Sequence, residues 1–279
     1  MIDQATLSRI IDEVLAAYLA SPVQDAPERP DLTSAETKAR VLIDAAENEE
    51  AVRQMKKTTS ARIGVGRSGP RLKTETLLTL RADHAAARDA VFTDVPEALL
   101  DELGLFSVQT VCRDKNEFLT RPDLGRVFDT EAERTITQKC KSKPQVQIYL
   151  SDGLSSKAIE ANARDVLPPL MDGLADLGLT VGTPFFVKYG RVPAMDRVSE
   201  LTGAEVTCVL IGERPGLATP ESMSAYIVYR ATAGMPEARR TVVSNIHAHG
   251  TPAVEAGAYI AELIAKILKA RASGVELKQ

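Results

Sequence analysis

The chain has 279 residues, 44% of them hydrophobic, enough to bury a large core as one α/β body with an appended helical region. Aromatic residues make up only 4%, Trp is absent and the formal net charge is −4, so the stacking surface and positive field that nucleic acids require are both missing. No apolar run approaches the roughly 18 to 20 residues that span a membrane, no signal-like segment is present, and Cys112, Cys140 and Cys208 stand far apart without metal-ligand spacing; the expectation is a cytoplasmic protein with reduced thiols, no metal site, no nucleic acid and no membrane partner.

Taken in chain order, Leu7, Ile10, Ile11, Val14, Leu15 and Tyr18 recur at helical spacing and predict a short amphipathic helix over 6–19, followed by the Pro-rich segment SPVQDAPERPD (21–31). A stripe detached by such a linker needs a covering surface, either a partner or the chain's own helical region. Thr33-x-x-Glu36 fits a capping box for a second helix running to about Lys57. Helical stretches follow at 74–91, 95–104 and 122–140.

Alternation of strand and helix begins near Val146. Strands are expected at 146–150, 184–189, 206–211, 224–230 and 240–245, with helices from about 155, over 168–177 and over 194–201 between them. Such alternation implies parallel strands joined by helical crossovers. A closing helix opens at Thr251-Pro252 as N-cap and first helical residue, packs Ile260, Leu263, Ile264, Ile267 and Leu268 on the sheet, and ends at Gly274. The fold class is therefore α/β: a Rossmann-like, mostly parallel sheet with helices on both faces, preceded by an N-terminal helical region. The division is 1–31 for the first helix and linker, 32–144 for the helical region and 145–279 for the α/β domain.

Four strands end in polar turns: VQIYLSDG (146–153), FFVKYGRV (185–192), VTCVLIGERPG (206–216) and TVVSNIHAHG (241–250). In an open parallel sheet such turns gather at the carboxyl edge, where Asp152-Gly153, Gly190-Arg191, Gly212-Glu213 and Ser244-Asn245 offer close backbone approach together with donors and acceptors for a large polar ligand. Each alone is also ordinary turn chemistry. Gly64-Val65-Gly66-Arg67-Ser68-Gly69 matches the dinucleotide fingerprint, but KKTTSARI before it is not a buried strand, so a tight loop is the competing reading to a nucleotide-binding oxidoreductase. His84, His247 and His249 lack partner ligands at metal spacing, and no Ser-centred elbow is present. No catalytic constellation is identified.

The blocks SGPRLKTETLL, DKNEFLTRPDLGR, SDGLS, LPPLM, VGTPFFVKYGRV, IGERPGL, SNIH and GTPAVEA, in this order over roughly residues 60–275, closely resemble the small (light) subunit of ethanolamine ammonia-lyase. The resemblance implies an adenosylcobalamin-dependent radical conversion of ethanolamine to acetaldehyde and ammonia. It also implies a large TIM-barrel subunit as partner, in a hetero-oligomer with several copies of each, and a cofactor enclosed between the two chains with its own dimethylbenzimidazole on cobalt. The family's cobalamin contacts fall on Val192, Glu213 and Val242, with Arg191 beside the first; the family can carry Cys where this chain has Val242, which leaves a van der Waals contact possible but no thiol role. Short N-terminal helices in the family direct the enzyme into a bacterial microcompartment or promote self-association, and the helix over 6–19 is expected to act in that way.

Overall fold

The computed structural model describes residues 31–59 and 61–277, so the helix expected over 6–19 lies outside the described residues. Two short helices replace the single one expected over 33–57: α1 (Ala35–Ala39) and α2 (Glu49–Lys57). Ser34, not Thr33, caps α1, while the Thr33 hydroxyl donates to Asp31 Oδ1 at 2.7 Å. Leu42 N–H is drawn off to Gly64 C=O at 2.8 Å, and Asn48 offers its own cap to Ala51 N–H, so the intervening chain is not helical.

The glycines at 64–69 lead into a two-strand ladder, β1 (Arg67–Ser68) and β2 (Arg71–Leu72), with Gly69 at φ +60 in the turn. A hairpin has neither the preceding buried strand nor the crossover helix that a dinucleotide fingerprint needs, so the loop reading holds. Helices α3 (Thr74–Phe92) and α4 (Glu97–Glu102) follow as expected.

Beyond α4 the chain forms β3 (Phe106–Gln109), a strand within the 32–144 region, between the helices expected over 95–104 and 122–140. Next come α5 (Lys115–Thr120), a 3-10 turn at Leu124–Arg126, and α6 (Thr130–Lys139), in place of one helix over 122–140. The break arises because Val127 is extended and its carbonyl accepts from Val111 N–H at 3.0 Å, after which Asp129 caps α6 afresh.

The remaining elements are β4 (Val146–Ser151), α7 (Ser156–Asp176), β5 (Phe185–Lys188), α8 (Ala194–Thr202), β6 (Val206–Gly212), β7 (Met223–Tyr229), β8 (Thr241–Ile246) and α9 (Ala253–Ala270). Helix α7 is one helix through Pro168 and Pro169, where two were expected. An interior proline costs about 3 kcal/mol, but Val166, Leu167, Leu170 and Leu174 are buried along α7 on both sides of the pair, at about 1.5–3 kcal/mol per large side chain. The closing helix starts one residue late, with Pro252 as its N-cap. It ends at Arg271 in a left-handed conformation, not at Gly274, whose N–H is held by Thr241 Oγ1.

One six-stranded sheet runs in the order β3-β5-β4-β6-β7-β8. The first four strands are mutually parallel, and β7 is antiparallel to both neighbours. The crossovers expected around β7 are absent because the ten residues between β6 and β7 hold no helix, and a parallel return needs one. Strand β8 nevertheless regains the direction of β6, so five carboxyl ends share one edge. Helices α7 and α9 cover one face, where Leu170, Ile260, Ile264 and Ile267 meet Ile148, Leu150, Cys208 and Leu210. Helices α6 and α8 cover the other, with Ile136, Met195 and Val198 against Val187 and Val209 beside a stack of Phe106, Phe185 and Tyr149.

Candidate functional site

Strand β4 leads into α7 on one face and its neighbour β5 into α8 on the other, so their carboxyl ends part around a crevice. Three glycines line it because a side chain has no room there: a Cβ on Gly190 would stand 2.5 Å from Ser151 Oγ, and one on Gly153 or Gly212 would enter the neighbouring backbone. The resulting cleft holds about 190 Å³ between Gly153, Leu154, Gly190, Arg191, Val192, Ile211, Gly212 and Glu213. A larger open groove along α3, past His84 and Phe92, contains none of the expected rim residues.

Beneath the cleft lies a buried ion pair. Lys115 Nζ donates to Asp152 Oδ2 at 3.0 Å, with the two side chains only 7% and 1% exposed. Asp152 Oδ1 accepts from Tyr189 N–H at 2.7 Å, holding Tyr189 at φ +58, a left-handed conformation costly for an aromatic residue. Burial raises the Asp152 pKa, opposed by the charge of Lys115. The Lys115 ammonium also stands over the rings of Phe118 and Tyr189 at 5.3 and 5.0 Å.

This platform sets the next residue but one. Arg191 N–H donates to Gly125 C=O and Arg191 Nη2 to Phe118 C=O, both at 2.8 Å, while the guanidinium lies 4.1 Å from the Phe118 ring centre. Its Nε is buried without a partner among the described residues, and burial lowers its pKa. Val192 follows, partly buried against the core of the α8 face.

On the far side of the cleft, Glu213 continues the edge of β6, its N–H donating to Ser222 C=O at 3.0 Å. Its Oε1 accepts from Tyr226 Oη–H at 2.8 Å. Burial, and then the carboxylate beside it, push the Tyr226 phenol up to about 12, so it remains a donor at neutral pH. Val242 pairs with Tyr226 across β7 and β8 and shares its face of the sheet, 45% exposed.

Three of the four expected contacts, Arg191, Val192 and Glu213, thus meet in one cleft, and Val242 does not. It lies near the start of β8, below the edge; the residue at the β8 exit is Asn245, exposed and at φ +59. The supporting residues Lys115, Phe118 and Gly125 were visible only as part of the DKNEFLTRPDLGR block, whose pattern gives no sign that a lysine turns inward. Tyr226 had a signal: in SAYIVYR it alternates with Ala225 and Ile227, which face the other core.

The remaining reactive groups stand apart. His249 N–H donates to His247 Nδ1 at 3.2 Å in an exposed turn, and no cluster of three or more His, Cys, Asp or Glu suited to a metal occurs among the described residues. All three cysteines are free and buried, with Cys140 pushed up to about 11 and Cys208 to about 12 by desolvation. No helix among the described residues is long and apolar enough to cross a membrane.

A family model described as "Ethanolamine ammonia-lyase light chain (EutC)" matches residues 49–278. The chain is 54% identical to the ethanolamine ammonia-lyase small subunit of Clostridium tetani over 294 residues, covering 100% of both chains. It is 52% identical to that of Clostridium perfringens over 277 residues, covering 99% of this chain and 93% of the relative. With that of Fusobacterium nucleatum the identity is 56% over 248 residues, covering 89% and 84%.

Proposed function

The chain belongs to the ethanolamine ammonia-lyase small-subunit family, and from that premise we propose that it forms one wall of an adenosylcobalamin site completed by a large, TIM-barrel subunit. The observation that carries this reading is the cleft between Arg191, Val192 and Glu213 at the carboxyl edge. Its volume of about 190 Å³ is below the roughly 300–1,000 Å³ of a pocket that engulfs a drug-sized ligand, and far too small for a corrin. It suits one polar arm at the periphery of a ligand held mainly elsewhere.

The residues fit a corrin edge bearing side-chain amides. Glu213 has a second carboxylate oxygen that makes no hydrogen bond among the described residues and can accept from an amide N–H, Gly153, Gly190 and Gly212 line the cleft with backbone, and Val192 supplies an apolar contact. Val242 forms an apolar margin further out, across Tyr226, and Asn245 adds an amide at the β8 exit. Adenosylcobalamin, when bound, would supply the radical chemistry for turning ethanolamine into acetaldehyde and ammonia. This chain's residues bind, orient and exclude water; none is assigned to proton transfer, so the chain is inactive without its partner. This chain would offer no histidine to replace the cofactor's own base, because the residues two positions before His84, His247 and His249 are Ala82, Asn245 and His247, not the Asp of an Asp-x-His-x-x-Gly motif.

Titration of the assembled two-subunit enzyme with cyanocobalamin, followed by its corrin absorbance, tests the assignment. Glu213→Gln is expected to weaken binding about ten- to hundredfold, the range for a hydrogen bond to a charged group. Unchanged affinity in Glu213→Gln and Glu213→Ala would overturn it, as would acetaldehyde production by the purified small chain alone.

A further inference from the structure

Glu213 stands at an open edge with Arg214 next in sequence and Arg191 across the same cleft, yet among the described residues it makes no ion pair. A free glutamate side chain has three rotatable bonds, and nearby guanidinium groups compete for its carboxylate. What fixes it is a neutral donor from the next strand. The register places Tyr226 directly between Val209 of β6 and Val242 of β8, all on the α8 side of the sheet. The ring is half-buried there and cannot swing away without leaving the core, and its hydroxyl reaches one carboxylate oxygen, Oε1.

We infer that Tyr226 is a positioning residue for ligand binding: by holding Oε1 it leaves Oε2 as the acceptor presented to the cleft and fixes the glutamate rotamer before the ligand arrives. This rests on the assignment of Glu213 to the corrin site. Ordering the side chain in advance removes a conformational cost from the binding step. Because the phenol keeps its proton far above neutral pH, the donor is constant across the working range.

The test uses the assembled two-subunit enzyme and cyanocobalamin, with binding read from corrin absorbance. Tyr226→Phe removes one oxygen and keeps the packed ring; the dissociation constant should rise about three- to tenfold, the usual worth of one net hydrogen bond. The double variant Tyr226→Phe with Glu213→Gln should bind no more weakly than Glu213→Gln alone by more than about twofold, because both act through one carboxylate. A merely structural role for the hydroxyl would not produce that non-additivity. If Glu213→Gln weakens binding while Tyr226→Phe does not, or if the two losses add in full, the inference is overturned and the Glu213 assignment stands. If Glu213→Gln itself has no effect, the assignment fails first.

Discussion

On the face covered by α7 and α9, Ile148, Leu150, Cys208, Leu210 and Ile227 meet an apolar layer running across β4, β6 and β7, and the two helices approach closely where Gly257 faces the Val166 carbonyl. On the face covered by α6 and α8, the buried layer contains the hydroxyl of Tyr149, which has no hydrogen-bond partner among the described residues, and the Asp196–Arg240 pair; towards β7 and β8 it thins until Tyr226 is half-buried and Val242 exposed. One sheet therefore separates two tasks: the closed face concentrates non-directional burial, and the open face accepts polar and uncovered groups on the side of the proposed site's Tyr226 and Val242.

The sharpest break of that contrast is within the open face. Arg240→Met leaves Asp196, held at 2.7 and 2.9 Å, as a buried carboxylate without its cation, and should lower unfolding free energy by about 3–5 kcal/mol in urea titrations. Adding Asp196→Leu should restore most of the loss, since two removed charges need no pairing; failure to recover would mean that Arg240 acts through Glu237 instead. On the closed face, Leu170→Ala or Ile264→Ala should cost about 2–5 kcal/mol each and leave corrin affinity of the folded, assembled enzyme unchanged. An affinity loss matching that of Glu213→Gln would abolish the division of tasks.

A pH experiment probes the closed face more gently. The Cys208 thiol, pushed up to about 12, titrates near 8.5 once unfolded, so the unfolded chain releases its proton first. Its contribution to stability is intact below about pH 8.5 and lost as pH rises towards the folded value, amounting to about 2 kcal/mol at pH 10. Urea curves at pH 8 and pH 10 should show that fall, and Cys208→Val should reduce it; an identical fall in the variant assigns the effect elsewhere. The smallest effect belongs to the margin: Val242→Ala should change stability by no more than about 0.5 kcal/mol and corrin affinity less than twofold. Asn245→Gly keeps the left-handed backbone while removing the amide, and a larger affinity loss there than at Val242 would mark Asn245 as the β8 contact.

Much of the sheet was legible because its central strands are short apolar runs bounded by turn residues, and Asp152, Gly190 and Gly212 end them visibly. Direction around β7 was not legible, since strand pattern fixes which face a side chain takes but not which way the neighbour runs. Strand β3 escaped because FSVQ is short and sits among helical signals. Within the site, Arg191, Val192 and Glu213 could be found at strand exits, whereas Lys115 reaches Asp152 only through tertiary placement of α5, which no local pattern encodes. Val242 was placed at the site by the family resemblance, and its pairing with Tyr226 sets it back along the strand from the edge.

The position of β3 has a consequence for how the chain acquires its fold. Phe106 pairs with Phe185 about 80 residues later, and β5 has to be in place beside β4 before β3 has an edge to join. During synthesis the first hundred or so residues therefore wait with Phe106 and Val108 uncovered, and closing so long a loop is slow. The ribosome-bound chain should gain protection at β3 only after residue 188 has emerged, so a strand made early is paired late and its aromatic stack waits for Phe185.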